Sequence, residues 1–306
     1  MAAMAVEGSS SDDLISRFIL NETSPTVSGR DTQAARQEIL RRECLQRNIR
    51  ASPRLAKTCK LFRVLPNQRT LLLLVPKCGG TVWGRLLLSV NGFIPEDAKL
   101  SAMESVTLLK KHFKYMSQAK KRKKLYASRF KKVIFVRNPY SRLLSAFRER
   151  LETFPNINLN QRRAHNKKIY MKYGNHSKDE MPNKSVKNEM YNVTFKEFID
   201  YFLDGNYDIH WQDVYKICNP CLGYDFIGKA ETYNDDVIEA LKLMGVDSRF
   251  HPYKKLHPSN SSDDAIMKKY YDTLSDEQFE KVRERLSTDM AYFGYNMPES
   301  IRRDHD

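Results

Sequence analysis

Residues 71–88, LLLLVPKCGGTVWGRLLL, constrain this chain more than any other stretch. Five consecutive aliphatic residues, Leu71–Val75, predict a strand buried on both faces, as in the interior of a parallel sheet. Pro76, Lys77, Cys78, two glycines and Thr81 then turn the chain into an amphipathic helix expected from about Val82 to Val90. A strand ending at the carboxyl edge of an α/β sheet delivers its loop to where such sheets bind ligands. Gly79 and Gly80 let backbone approach an anion, and amides at the next helix start point toward it. Thr81 adds a hydroxyl and Lys77 a mobile positive charge. An ordinary strand–turn–helix corner is the competing reading. A nucleotide triphosphatase loop is excluded by residue order, because its lysine follows the last glycine and Lys77 precedes both.

A second corner of the same kind lies at residues 133–152, VIFVRNPYSRLLSAFRERLE. Val133–Val136 reads as a strand, and Pro139–Glu152 as a helix whose proline sits in the first turn, where its missing N–H costs nothing. Arg137 follows the strand directly and can fork onto a phosphate. Arg142 and Ser145, three apart, share a helix face. Two phosphate-type corners on neighbouring strands suit a nucleotide with two separated anionic groups.

The rest of the chain fits one α/β domain with a parallel sheet. Residues 1–33 are polar and Ser-rich and read as a disordered tail, ahead of a catalytic domain at 34–300. Residues 34–50 carry helical spacing at Ile39, Leu40 and Leu45. Lys110–Lys132 is an intensely basic, helix-like stretch, and 155–192 reads as a long surface insertion poor in aliphatics. Thr194 to Glu197 form a capping box for a helix to about Leu203. Tyr224–Gly228 is a short strand, Glu231–Met244 a helix stopped by Gly245, and Ser275 caps a final helix over Glu277–Tyr292.

With 52 Lys+Arg against 37 Asp+Glu, the formal charge of +15 calls for a polyanionic partner: nucleic acid, an anionic membrane surface or an acidic polysaccharide. No apolar run approaches the roughly 20 residues that span a bilayer, and no signal peptide is visible, so the chain read literally is soluble and cytosolic. Five N-x-[ST] triplets, at Asn21, Asn175, Asn183, Asn192 and Asn260, favour a secretory lumen instead. The five cysteines include Cys218-Asn-Pro-Cys221, but no second pair completes a zinc site, and no metal centre is expected. Some of these cysteines are expected in structural disulfides.

Four segments together resemble the Golgi carbohydrate sulfotransferases of the chondroitin, dermatan and N-acetylgalactosamine 4-O type. They are Leu-Arg-Arg-Glu-Cys44, the VPK-x-x-x-T loop from Val75 to Thr81, VRNPYSRLLSAFRERLE from Val136, and HWQDVYKICNPCLGYDFIGKAET from His210. The resemblance runs from about Arg36 to Pro298. It implies a P-loop-like sulfotransferase fold, a central parallel sheet flanked by helices. The implied sulfuryl donor is 3′-phosphoadenosine 5′-phosphosulfate (PAPS). The implied acceptor is an acidic glycan, a glycosaminoglycan or glycoprotein glycan, with no nucleic-acid partner. The implied compartment is the Golgi lumen, behind a membrane anchor that this sequence does not show.

The family's 5′-phosphosulfate loop maps onto Pro76, Lys77, Cys78, Gly79, Gly80, Thr81 and Val82. Its 3′-phosphate segment maps onto Arg137, Asn138, Pro139, Tyr140, Ser141, Arg142, Leu143, Leu144 and Ser145, with Arg137 and Ser145 as the expected direct contacts. The family usually has Cys, Asn and Lys where this chain has Gly80, Val82 and Gly84. His210 is the candidate general base, with Glu231 its rival, and Lys77 the electrostatic catalyst. Two alternatives stay open: a glycan-binding homologue without transfer activity, and a basic nucleic-acid-binding protein.

Overall fold

A computed structural model describes residues 29–52, 54–55, 59, 61–113, 130–152, 159–174, 191–246 and 260–303. Most of the basic 110–132 stretch and the sequons at Asn21, Asn175 and Asn183 lie outside the described residues.

Helix α1 (Gly29–Gln46) precedes strands β1 (Phe62–Leu65) and β2 (Thr70–Leu74), then α2 (Gly80–Val90) and α3 (Ala102–His112). Strand β3 (Lys131–Val136) leads into α4 (Pro139–Arg150), followed by α5 (Leu159–Tyr173), α6 (Phe195–Leu203) and the short α7 (Val214–Ile217). Strand β4 (Phe226–Lys229), α8 (Tyr233–Met244), α9 (Asp264–Tyr271) and α10 (Asp276–Phe293) complete the order.

The four described strands form one sheet in the order β1-β2-β3-β4. Strands β2, β3 and β4 are parallel, but β1 pairs antiparallel with β2, so the sheet is mixed rather than wholly parallel. The FRVL segment hides this strand in the sequence because Arg63 interrupts its apolar run. In the fold Arg63 is buried and donates to the Leu109 carbonyl at 3.5 Å. Every residue of β2 is buried, as expected of a strand covered on both faces.

At the opposite edge, β4 is covered, among the described residues, by side chains rather than by another strand. Gln33 donates to the Ile227 carbonyl at 2.9 Å and accepts from the Ile227 N–H at 3.0 Å. Arg36 donates to the same carbonyl and to Asp236, both at 2.8 Å. The exposed ladder groups of an edge strand are thereby satisfied within the chain. Helix α1 therefore begins at Gly29, ahead of the start at 34 that the apolar spacing suggests.

Two disulfides, Cys44–Cys221 and Cys59–Cys218, tie α1 and its exit to the segment before β4. The two cysteines of the CxxC thus pair with different partners, which is a scaffold and not a redox dithiol. The first spans 177 residues, a loop long enough for a chain-entropy contribution on the order of 4–5 kcal/mol.

Buried apolar residues divide into two clusters. One lies around the sheet, α2 and α8; the other is aromatic, joining Tyr140 and Phe147 of α4 to Phe198, Trp211, Tyr271 and Phe279. Helix α5 belongs to the second cluster, which corrects the surface-insertion reading over 159–173. Ile169 and Tyr170 are buried, and the Asn166 amide donates to the carbonyls of Leu151 and Tyr191, each at 2.9 Å. Its inward face is built from Asn, Ile and Tyr, so aliphatic content alone does not reveal it. The capping boxes at Thr194 and Ser275 form as expected, and Gly245 ends α8 in a left-handed conformation.

Candidate functional site

The two turns leaving the carboxyl edge of β2 and β3 meet in space. After Val75 the backbone turns with Lys77 at φ 72° and Gly79 at φ 84°, and α2 starts at Gly80. Gly79 is required twice over. Its φ disfavours a side chain, and a Cβ there would run into the Tyr233 ring, whose hydroxyl donates to the Gly79 carbonyl at 3.0 Å. A Cβ at Gly80 would meet nothing within 4 Å, so this position has room for the cysteine that the family resemblance implies there. Thr81 lies half-buried in the first turn of α2, and Val82 is buried. Cys78 is the one unpaired cysteine among the described residues; burial pushes its thiol up to about 12, leaving an inert thiol rather than a nucleophile.

The Lys77 side chain is only 7% exposed, and its ammonium pairs with Glu149 near the end of α4. Burial pushes Lys77 below the usual lysine range, and the Glu149 carboxylate opposes that shift. For Glu149, burial acts to raise the carboxyl, but Lys77 outweighs it and His210 adds to the effect, so the group is held below the usual carboxylate range.

Arg137 arrives from β3. Its guanidinium donates to Ser141 Oγ at 3.0 Å, to the Lys77 carbonyl at 3.4 Å and to Ser262 Oγ at 2.8 Å. Ser262 comes from the turn before α9, 125 residues away in sequence, and nothing local announces it. Asn138 caps α4 by accepting from the Tyr140 N–H at 3.1 Å, with Pro139 in the first turn.

Beyond this point α4 turns inward, carrying the rest of the expected 3′-phosphate segment into the protein. Tyr140, Leu143 and Leu144 are core residues, with the Tyr140 ring packed against Tyr271 and Phe279. Ser145 is 2% exposed. Arg142 is 4% exposed and is spent on carbonyls: Pro76 at 3.1 Å, Gln212 at 2.9 Å and Ile209 at 3.4 Å. It fastens the Lys77 turn to the His210 segment.

That segment presents a carboxylate–imidazole pair. Asp208 accepts from the His210 N–H at 2.9 Å and lies 2.5 Å from His210 Nδ1, which leaves Nε2 as the ring's other nitrogen. Burial acts to raise Asp208, yet the hydrogen bonds from His210 hold it below the usual range. Trp211 anchors the segment, buried with its indole N–H donating to Asn206 at 3.0 Å. Glu231, the rival base, accepts from the Asn138 N–H at 2.8 Å and from the Tyr295 hydroxyl at 2.9 Å. It clamps the Arg137 turn. Among the described residues no group of three or more His, Cys, Asp or Glu side chains is arranged for a metal.

A model of the Sulfotransferase family matches residues 60–296. Carbohydrate sulfotransferase 9 of Homo sapiens is 32% identical over 235 residues, covering 73% of this chain and 50% of that protein. Carbohydrate sulfotransferase 8 of Mus musculus is 29% identical over 287 residues, covering 90% and 66%. Carbohydrate sulfotransferase 11 of Rattus norvegicus is 29% identical over 244 residues, covering 75% and 65%. The chain spans about half to two thirds of the length of these relatives, and no solved structure matches it. A mixed sheet with two basic turns at its carboxyl edge, matched over most of its length by that family, places this chain in the sulfotransferase family, beside carbohydrate sulfotransferases.

Proposed function

We propose that this chain transfers a sulfuryl group from PAPS to a glycan hydroxyl, the 4-position of N-acetylgalactosamine in a chondroitin- or dermatan-type chain. The observation that carries the reading is the meeting of Lys77 and Arg137: cations from adjacent parallel strands, joined through the Lys77 carbonyl. The groups present fit such a donor. Lys77, Thr81 and the amides opening α2 suit the 5′ end, in a P-loop-like manner, while Arg137, Ser141 and Ser262 suit the 3′-phosphate.

The donor supplies an already activated sulfuryl group, so the protein's work is positioning, charge balance and one proton transfer. Lys77 balances negative charge at the 5′ side. His210 takes the acceptor proton through Nε2, while Asp208 fixes the ring and stabilises the charge it gains. Arg142 holds both turns at a fixed separation. Glu231 is a positioning group in this account, since both its oxygens already accept hydrogen bonds. Exposed Lys167 and Lys168 on α5 lie on the basic surface offered to an acidic acceptor.

Two disulfides and exposed sequon asparagines at Asn192 and Asn260 fit an oxidising secretory compartment, and the Golgi lumen is the proposed place of action. No helix among the described residues is long and apolar enough to cross a membrane.

Thermal denaturation with 3′-phosphoadenosine 5′-phosphate, ATP and a DNA duplex tests the donor assignment. The bisphosphate should raise Tm at concentrations where ATP and DNA do little. Stabilisation by DNA alone would return the chain to the nucleic-acid-binding class.

A further inference from the structure

The Lys77–Glu149 pair has no part in the transfer described above, and it poses a problem for that account. A lysine that must meet the donor is already occupied by a carboxylate, 72 residues away in sequence and on a different element. The two ends of the pair differ in setting. Lys77 is 7% exposed, whereas the Glu149 side chain is 47% exposed.

We propose that Glu149 is a positioning residue, a displaceable counter-ion that holds the Lys77 ammonium toward the acceptor side until the donor's 5′ anionic group takes its place. This rests on the PAPS reading. It follows from charge and space. In the empty site a lysine buried without a counter-ion would lose its proton or fold back; Glu149 is needed only there, because a bound donor brings its own negative charge to Lys77. Glu149 keeps it charged and aimed. Arg137 and Arg150 both act to repel Lys77, and Glu149 is the carboxylate that opposes them at its ammonium. When the donor binds, its oxygens replace the carboxylate at Lys77; when the product leaves, Glu149 returns. No bond is made or broken in the exchange. In its paired position the carboxylate is within the electrostatic reach of His210.

A competing counter-ion weakens donor binding, and its loss must strengthen it. The test is the Kd of 3′-phosphoadenosine 5′-phosphate, by calorimetry, for the wild type, Glu149→Gln, Lys77→Met and the double variant. Glu149→Gln should bind about fivefold more tightly, the scale of one partly exposed ion pair. In the Lys77→Met background the same change should leave Kd unaltered. Glu149→Asp, a shorter carboxylate, should fall between wild type and Glu149→Gln. Glu149→Gln should also lower KM for PAPS by a similar factor without raising kcat. A Glu149→Gln affinity equal to or weaker than wild type overturns the proposal while leaving the PAPS reading intact. An equal gain in the Lys77→Met background would mean a general field effect, and also overturns it. Failure of wild type to bind the bisphosphate would remove the reading on which the proposal rests.

Discussion

After β2 the chain turns through two left-handed residues, keeps Lys77 at the site and begins a helix with no side-chain cap. After β3 it runs straight into a helix capped by Asn138, with Pro139 in its first turn. Both turns look like anion sites in the sequence. The first keeps its lysine beside an exchangeable carboxylate. The second offers Arg137 and then buries Arg142, one helical turn on, among three carbonyl groups. A basic residue at the strand end stays at the carboxyl edge of the sheet; one a turn deeper becomes the bolt between two loops. The difference lies in which carbonyls wait for it, and those belong to residues distant in sequence.

The comparison breaks first if Lys77 is dispensable. Lys77→Met should lower kcat about a hundredfold, on the order of 3 kcal/mol, with thermal stability kept, because charge at the leaving phosphate grows in the transition state. Steady-state kinetics with PAPS check this. Next, the two arginines should separate cleanly in denaturant unfolding and ligand titration. Arg142→Ala strips three buried carbonyls of a charged donor and should cost roughly 2–3 kcal/mol of stability. Arg137→Ala should leave stability within about 1 kcal/mol and weaken bisphosphate binding at least tenfold, on the scale of a lost charge-assisted hydrogen bond.

The glycines sharpen the same contrast within the first turn. Gly79→Ala meets both an unfavourable φ and the Tyr233 ring, and should destabilise by about 1–2 kcal/mol or more. Gly80→Ala enters open space and should be near neutral in a thermal melt.

A modest effect is a pH dependence lodged beside α7. Asp289 caps α7 by accepting from the Val214 N–H at 2.6 Å and the Tyr215 N–H at 3.0 Å. Burial nonetheless pushes its carboxyl up to about 6, above the ordinary 3.8. A folded-state pKa above the unfolded one means that the protonated form favours folding. This stability is complete below the ordinary value and is lost as pH rises through about 6. Between pH 5 and 7 it should fall by on the order of 1 kcal/mol, a few degrees in Tm. Asp289→Asn should remove that part of the slope.

The legible parts of this fold are those whose signals are local. Leu71–Val75 and Val133–Val136 announce strands by composition, and Thr194, Ser275 and Gly245 announce helix ends by caps. Strand β1 is masked by Arg63, and α5 by an inward face of Asn, Ile and Tyr. The candidate site divides in the same way. Lys77 and Arg137 are visible because each follows a buried strand directly. Glu149 and Ser262 are not, since their roles come from contacts made across 72 and 125 residues. The burial of Ser145 is not legible either, because helical spacing gives a shared face but not which way that face points.

Sulfuryl transfer to a glycan at this edge of the sheet would be read from incorporation of label from 35S-labelled PAPS. Chondroitin, dermatan, desulfated heparosan and N-glycan acceptors should be compared with wild-type and Lys77→Met protein. Label should appear in chondroitin- or dermatan-type chains, at the 4-position of N-acetylgalactosamine, reduced about a hundredfold in the variant. No incorporation into any glycan by folded protein that binds the bisphosphate, or equal incorporation by the variant, would contradict it.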